Sequence, residues 1–200
     1  NERIRKININ EKLPADISNL NIAVLLKKEK DSQESNIPLF GLKDETFKTF
    51  EDRPNLLTKR EIRIQVLADL ELPENGLIWD IGAGCGSIGL EALKLRPKLE
   101  LFCVDKRIGS KSLIKENAKR LGVKPKDIFE EDINNKLNNQ NINYLQNASR
   151  VIIGGCDKAT KLKIINQLSI SMKKGGIVVI PLIEIQSIKD LRKILVVHLV

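Results

Sequence analysis

From Leu77 onward, apolar and polar positions follow one repeated pattern. Short apolar runs alternate with segments in which apolar residues recur at helical spacing. The predicted strands are Leu77–Ile81, Leu99–Asp105, Asp127–Asp132, Arg150–Gly155 and Gly176–Ile183. Apolar runs separated by helices are typical of a mostly parallel sheet with helices on both faces. We therefore predict an α/β fold whose ligand site lies at the carboxyl ends of the strands.

Helices can be placed between these runs. One follows the first strand to Arg96, and another ends at Leu121, where Gly122 suits the left-handed residue after a helix. A third is predicted over Lys158–Lys173, before a pair of glycines. Near the end of the sequence we expect a helix over Ser187–Ile194 that runs into a sixth strand.

A further helix is predicted ahead of the first strand. Thr58 and Glu61 have the spacing of a capping box, in which each side chain satisfies a backbone amide of the helix start. The helix would extend to about Leu70 and bury Ile62, Val66 and Leu70. It is expected to cover the pocket next to the first strand.

Composition and charge exclude several classes of protein. With 42% hydrophobic and 30% charged residues, the 200-residue chain has the balance of a globular domain. A single histidine, His198, argues against a Ser-His-Asp hydrolase, and we predict no metal site. Three widely spaced cysteines and the lack of a recognisable signal or membrane segment predict a cytoplasmic location. The net charge of +8 indicates an anionic partner.

A glycine-rich loop follows the first predicted strand. Residues 80–89, DIGAGCGSIG, contain the G-x-G-x-x-G pattern of dinucleotide sites at Gly84, Gly86 and Gly89. The carboxylate of Asp80 would repel a pyrophosphate, but it suits a ligand that has a cationic centre or an ammonium group. S-adenosylmethionine has both a sulfonium and an ammonium group, so the loop favours this cofactor over a dinucleotide.

Roles in binding S-adenosylmethionine can be assigned around the loop. Gly82 and Gly84 let the backbone approach the methionine part, whose carboxylate the next helix's first amides can receive. Asp105 is placed to accept two ribose hydroxyls, and Asp132 or its neighbour Glu131 can accept the adenine amino group. The predicted cofactor-binding residues are Thr58, Asp80, Gly82, Ala83, Gly84, Gly86, Ser87, Asp105, Lys106 and Asp132.

Other side chains are predicted to shape this pocket. Ile133 and the stems of Lys106 and Arg107 are candidates to sandwich the adenine ring. Cys156 could face the pocket, but no neighbouring histidine is present to activate its thiol. The other two cysteines, Cys85 and Cys103, are expected to be small buried fillers.

Sequence motifs of nucleic-acid methyltransferases are missing. No Asn/Asp-Pro-Pro-aromatic segment follows the fourth strand, and there is no Pro-Cys nucleophile. Aromatic residues make up 4% of the chain, with one Trp and one Tyr, which is few for stacking on bases. We expect no nucleic-acid or membrane partner. An RNA methyltransferase and a non-catalytic nucleotide-binding module are the alternatives.

Four segments in order resemble one enzyme family. PLFGLKDETF, LLTKREIR, LIWDIGAGCGSIGLEA and RVIIGG are similar to motifs of the decarboxylating precorrin methyltransferases of cobalamin synthesis. The resemblance implies a Rossmann-like, class I S-adenosylmethionine-dependent fold over residues 38–200. It also implies carbon methylation of a precorrin-6B-type tetrapyrrole, with loss of carbon dioxide from an acetate side chain. The antiparallel strand that closes such sheets is expected to be missing here.

The resemblance extends to the substrate, the assembly and the domain order. Candidates to orient the carboxylates of the substrate are Thr58, Lys59 and Arg60, with Arg53 and Lys43 upstream, and the pair Gly154 and Gly155 would leave room for a flat macrocycle. Family members are tetrameric, which implies a homo-oligomer. In many of them the domain follows a second, covalently fused methyltransferase. We therefore expect residues 1–29 to be the tail of such a domain and residues 30–37 a linker.

Two positions depart from the family pattern. Leu57 stands where a methionine usually precedes Thr58 and Lys59. The fifth predicted strand ends in Ile180-Pro181-Leu182, where a polar residue such as asparagine is expected. This puts a substrate contact at that strand end in doubt.

Overall fold

A computed structural model describes residues 37–138 and 145–181, and residues 5, 7, 11, 12 and 14–17 near the start of the chain. The chain divides into two compact units, Asn1–Asn36 and Ile37–Val200. In the first unit the Arg5 guanidinium donates to both carboxylate oxygens of Asp16, at 2.6 Å each. The predicted helix at Ser187–Ile194 and the sixth strand after it lie outside the described residues.

The second unit alternates helices and strands. Its described helices are α1 Arg60–Asp69, α2 Ser87–Leu95, α3 Ser110–Leu121, α4 Ile133–Leu137 and α5 Lys158–Ser171. Its described strands are β1 Asn75–Ile81, β2 Lys98–Asp105, β3 Asp127–Glu130, β4 Arg150–Ile153 and β5 Ile177–Val179. Along the described part of the chain, no helix is long and apolar enough to cross a membrane.

These strands form one sheet in the order β3-β2-β1-β4-β5, and all neighbouring pairs are parallel. The chain moves outward from β1 to β3 and then returns to the other side of β1 for β4. The carboxyl ends of β1 and β4 therefore meet where the strand order reverses, the usual place for a ligand crevice in such sheets. The predicted parallel sheet is confirmed.

Helices cover both faces of the sheet because its strand residues are apolar on both sides. One buried cluster joins Ile78 and Leu101 to α1, α2 and α3. The other joins Trp79 and Ile153 to α4 and α5. On that second face the rings of Trp79 and Phe102 stack across β1 and β2, with centroids 5.0 Å apart. The predicted two-sided cover is thus confirmed.

The start of α1 differs from the predicted capping box. The N-cap residue is Lys59, which makes no side-chain cap, and the Thr58 carbonyl accepts a hydrogen bond of 2.6 Å from Arg63. Val66 is buried, but Ile62 is 51% exposed and Arg63 is fully buried in its place. The predicted burial of Ile62 is therefore wrong, because Arg63 pairs with the buried Glu91 on α2 and takes the inward position.

Helix ends elsewhere are close to their predicted positions. α3 ends at Leu121, and Gly122 adopts the predicted left-handed conformation with φ +67°. α5 ends at Ser171, two residues before the predicted Lys173, and Gly175 with φ +78° turns the chain toward β5.

Candidate active site

A cavity of about 740 Å³ lies at the carboxyl ends of β1, β2 and β4. One wall is formed by residues 55–59 together with side chains of α1. Other lining residues come from the glycine loop and from the residues that follow β2, β3 and β4. This is the strand-end position that the sequence pattern predicts for the ligand site.

Residues 55–59 of the first wall are the end of a longer segment, residues 37–59, here called the leading segment. A buried ion pair holds this segment in place. Arg63 on α1 and Glu91 on α2 are both fully buried, and Arg63 Nε donates to Glu91 Oε2 at 3.1 Å. Glu91 Oε1 accepts from the backbone amides of Gly41 at 2.6 Å and Leu42 at 3.0 Å. The pair therefore fixes the leading segment against two helices.

The same arginine holds the far end of the leading segment. Arg63 Nη1 donates to Asp44 Oδ1 at 2.7 Å and to the carbonyl of Thr58 at 2.6 Å. Its guanidinium also lies 4.8 Å from the ring centroid of Phe47. Thr58 lines the cavity, so this network sets the position of one cavity wall.

Asn117 on α3 is another buried contact of the leading segment. Its side chain accepts from the Lys48 amide at 2.8 Å and donates to the Lys48 carbonyl at 2.9 Å. It also donates to the carbonyl of Cys85 in the glycine loop at 3.0 Å. Asn117, Arg63 and Glu91 were not predicted from the sequence. The signal that could have identified them is a polar residue on the apolar face of a predicted helix.

The glycine loop makes its closest contact at Gly82. This residue has φ +73°, and a Cβ there would lie 3.0 Å from the Gly154 carbonyl carbon and 3.0 Å from the Gly155 amide nitrogen. Two glycine-containing loops therefore touch where β1 and β4 end. Gly86 is the left-handed N-cap of α2, lies against Ile114 and does not line the cavity.

Asp80 lies beneath this loop and supports the start of α2. It is 2% exposed, and its Oδ2 accepts from the Gly89 amide at 2.9 Å. Burial, and secondarily the nearby charge of Asp105, raise the pKa of Asp80 to about 7. The hydrogen bond from Gly89 opposes this rise without cancelling it.

We expect the variant Asp80→Asn to gain stability over the wild type as the pH rises. Because the pKa of Asp80 is raised to about 7 in the folded protein, the folded state holds a proton that the unfolded chain has already released above its ordinary pKa. The wild type therefore loses stability as the pH rises toward 7, while asparagine can still accept from Gly89. The advantage of the variant should grow by about 2 kcal/mol between pH about 5.5 and about 8.

Denaturant unfolding of both proteins at the two pH values measures this difference. An advantage that is equal at both pH values would show that Asp80 is already ionised throughout that range.

Asp105 ends β2 and faces the cavity with a carboxylate that the backbone holds. Its Oδ2 accepts from the Gly84 amide at 2.7 Å, and its Oδ1 accepts from the Arg107 amide at 2.8 Å. Each oxygen keeps a further lone pair. The carboxylate is therefore oriented in advance, with acceptor capacity left for a ligand.

Two more carboxylates at the cavity cap helices. Asp132 Oδ1 accepts from the Asn134 amide at 2.9 Å at the start of α4. Asp157 Oδ1 accepts from the Thr160 amide at 2.9 Å at the start of α5, and its Oδ2 accepts from the Thr160 hydroxyl at 2.8 Å. These two hydrogen bonds lower the pKa of Asp157. Asp157 was not predicted, although its position before the α5 helix is an N-cap signature. Glu131 instead pairs with Lys136 at 3.0 Å.

Only one of the basic residues predicted to contact substrate carboxylates lines the cavity. Lys59 lines it, with Nζ 3.8 Å from Asp44 Oδ2. Arg60 does not line it, because its Nε donates to the Gly41 carbonyl at 2.7 Å. Lys43 and Arg53 also lie off the cavity, each beside an acid of the leading segment.

The described cysteines are not activated. Cys85 and Cys103 are buried, as predicted, and burial raises the pKa of both thiols. Cys156 lines the cavity, where burial raises the pKa of its thiol to about 11. It is therefore protonated near neutral pH and is not a thiolate nucleophile.

A family model described as the precorrin methyltransferase domain matches residues 48–197. The chain belongs to the precorrin methyltransferase family. A relative from Pyrobaculum calidifontis, named a probable cobalt-precorrin-6B C(15)-methyltransferase (decarboxylating), is 29% identical over 150 residues, 74% of this chain and 73% of the relative.

Solved structures agree with the family assignment. A precorrin-6Y C5,15-methyltransferase from Geobacter metallireducens has a TM-score of 0.68 and 26% identity, covering 82% of each chain. A SAM-dependent O-methyltransferase from Thermotoga maritima, at 16% identity and a TM-score of 0.58, covers 68% of this chain and 49% of that one, and shares the fold. The predictions of a precorrin-family methyltransferase and of a class I methyltransferase fold are confirmed.

Most predicted site residues of this precorrin methyltransferase domain meet at one cavity. The cofactor-binding candidates that line it are Thr58, Asp80, Gly82, Ala83, Gly84, Ser87, Asp105, Lys106 and Asp132. The substrate candidates that line it are Thr58, Lys59, Gly154 and Gly155. Gly86 and Arg60 lie outside it. The binding roles of all these residues remain predictions.

Proposed function

We propose that the chain binds S-adenosylmethionine in the cavity, methylates a carbon of a precorrin-6B-type tetrapyrrole and removes carbon dioxide from an acetate side chain. The observation that carries this proposal is a pre-oriented Asp105 beside a glycine loop in a chain of the precorrin methyltransferase family. The name of the Pyrobaculum relative supports the choice of substrate and the decarboxylation.

The chemistry of the cavity fits S-adenosylmethionine. Asp105 offers the acceptor oxygens that ribose hydroxyls need, and Asp132 keeps its Oδ2 for the adenine amino group. Gly82 leaves open the space that a Cβ would fill beside Gly154. The first amides of α2 and its dipole suit the methionine carboxylate. When bound, S-adenosylmethionine supplies an electrophilic methyl group.

The substrate part of the cavity has apolar surface and a basic side chain. Leu56, Leu57 and Ile62 line one wall, and Val179 to Pro181 line another, so a flat macrocycle would displace water from apolar surface on binding. Lys59 supplies positive charge for a carboxylate. The exposure of Ile62, which the helix pattern did not predict, is consistent with a position at this wall.

The residues of the cavity are suited to positioning rather than to acid–base catalysis. Among the described lining residues there is no histidine, and the Cys156 thiol is protonated. Methyl transfer to an electron-rich carbon depends mainly on the alignment of the reacting atoms. The chain would orient the macrocycle and exclude water from the site. Methylation of the ring carbon leaves an iminium-like macrocycle, and this takes up the electron pair of the C–C bond that breaks when the acetate side chain loses carbon dioxide.

Incubation with precorrin-6B and S-adenosylmethionine, followed by mass spectrometry, tests the proposal. The expected product has gained one methyl group and lost one carbon dioxide, and parallel reactions with cobalt-containing and cobalt-free substrate identify the preferred form. Calorimetry with S-adenosylmethionine and with NAD tests the cofactor. Tight NAD binding without a response to S-adenosylmethionine, or methylation of bulk RNA in place of the tetrapyrrole, would overturn the proposal.

Three further features are part of the proposal. Residues 1–29 would be the tail of a fused methyltransferase domain, the active form would be a homo-oligomer, and the protein would act in the cytoplasm. Size measurement of the full-length gene product would test the first two.

A further inference from the structure

Arg107 is a cavity residue whose backbone is held on both sides. Its amide donates to Asp105 Oδ1 at 2.8 Å, and its carbonyl accepts from the Ser110 amide at 3.1 Å, at the start of α3. The residue is half-buried and lines the cavity. The loop therefore presents the Arg107 side chain from a fixed position at the end of β2.

The guanidinium of Arg107 lies over the aromatic ring of Phe50, 5.0 Å from its centroid. Phe50 belongs to the leading segment, in which the Arg53 amide donates to the Phe50 carbonyl at 3.1 Å. Two residues earlier, Asn117 binds both backbone groups of Lys48. The ring is thus part of a supported backbone, and it limits the rotamers open to Arg107.

Arg107 and Lys59 differ in their ionic contacts within the described part of the chain. No ion pair joins its guanidinium to an acid there, whereas Lys59 at the same cavity lies 3.8 Å from Asp44 Oδ2. An arginine that stacks on a ring uses the face of its guanidinium and leaves the N–H donors at the edge free. This edge can bind a carboxylate through two parallel hydrogen bonds.

We propose that Arg107 binds a carboxylate of the substrate and that Phe50 is the residue that positions it. This inference rests on the proposed function, because it takes the polycarboxylate tetrapyrrole as the ligand. It replaces Arg60, Arg53 and Lys43 as carboxylate contacts, since those side chains lie off the cavity. It also assigns the guanidinium of Arg107 to the substrate rather than to the adenine ring.

Steady-state kinetics and calorimetry of Arg107→Gln test the proposal. We expect the KM for the tetrapyrrole to rise about 10–100-fold, with kcat and the Kd of S-adenosylmethionine within about 2-fold of wild type. Arg107→Lys should lie between, because a lysine keeps the charge but loses the paired donors and the stacking. Arg120→Gln, on the exposed end of α3, is the matched control and should change neither constant.

The KM values of two Phe50 variants test whether Phe50 positions the Arg107 side chain. Phe50→Leu should raise the KM about 2–5-fold at unchanged kcat, and Phe50→Tyr, which keeps the ring, should restore the wild-type KM. A fall in kcat with both variants, or an equal KM for leucine and tyrosine, would assign Phe50 a purely structural role.

Binding measurements separate this inference from the proposed function. A porphyrin polycarboxylate and its methyl ester, titrated by absorbance, report the carboxylate contact without turnover. Wild type should prefer the acid, and Arg107→Gln should lose most of that preference. If wild type does not methylate precorrin-6B, the proposed function fails. If Arg107→Gln leaves both the KM and the acid preference unchanged, or weakens only S-adenosylmethionine binding, the role of Arg107 is overturned.

Discussion

Replacing Glu91 by glutamine is expected to lower the free energy of unfolding by about 3–5 kcal/mol. The side chain is fully buried, and its two oxygens accept from Arg63 Nε and from the amides of Gly41 and Leu42. Glutamine has one acceptor oxygen, so its amide group would face a buried donor. Among the described residues, the charge of Arg63 would keep only Asp44, which is 30% exposed, as an acidic partner.

Urea or guanidinium unfolding of Glu91→Gln and of a matched variant measures this effect. Glu100→Gln makes the same chemical change in an ion pair with Lys126 whose side chains are 55% and 56% exposed. Exposed pairs of this kind contribute about 0–1 kcal/mol, so the control should stay near wild type. Equal losses in the two variants would show that the buried pair does not hold the leading segment in place.

The ion pair of Arg63 and Glu91 also gives a structural role to one of the sequence motifs that resemble the family. Gly41, Leu42, Asp44 and Phe47 belong to PLFGLKDETF, the first of the four segments that resemble the precorrin methyltransferases. In the structure Gly41 has φ +66° and gives its amide to Glu91, Leu42 is fully buried, Asp44 binds Arg63, and Phe47 packs under the same guanidinium. This motif therefore supports one wall of the cavity, and its residues lie outside the cavity lining.

Features that depend on neighbours in sequence could be predicted. Apolar runs that end in an acid placed Asp80 and Asp105 at strand ends, because strand length and side-chain alternation are local properties. Gly122 could be placed as the left-handed residue after α3 because a glycine with a proline shortly beyond it, here Pro125, is typical of a helix end. The parallel sheet with helices on both faces could be predicted from the alternation of apolar runs with helices, but that alternation did not give the order of the strands in the sheet.

Features that depend on distant contacts could not be predicted. Arg63 and Glu91 are 28 residues apart, and Asn117 and Lys48 are 69 residues apart. No local pattern indicates that such groups meet, so the buried face of α1 was assigned to Ile62 in place of Arg63. The same limit applies to the basic residues. The sequence does not show that Arg60 binds the Gly41 carbonyl and so lies off the cavity, or that Arg107 stacks on Phe50 at the cavity.

Asp105→Asn is expected to weaken the binding of S-adenosylmethionine by about 100-fold or more. In the proposed complex, the carboxylate accepts two ribose hydroxyls, and hydrogen bonds to a charged group contribute about 1.5–3 kcal/mol each. The variant loses the charge, and its amide group would face either the Gly84 or the Arg107 amide, both of which donate to Asp105 in the structure. Asp127→Asn, at the start of β3 and off the cavity, is the matched control.

A ligand lacking a ribose hydroxyl distinguishes recognition from a general disturbance of the loop. Calorimetry with S-adenosylhomocysteine and its 2′-deoxy analogue, on wild type and Asp105→Asn, forms a double-mutant cycle. Wild type should bind the deoxy analogue about 10-fold more weakly or worse, because one charged hydrogen bond is lost. The variant should bind both ligands with nearly equal affinity. If the variant still discriminates between them as wild type does, Asp105 acts only through Gly84 and Arg107, and the ribose contact must be assigned to another residue.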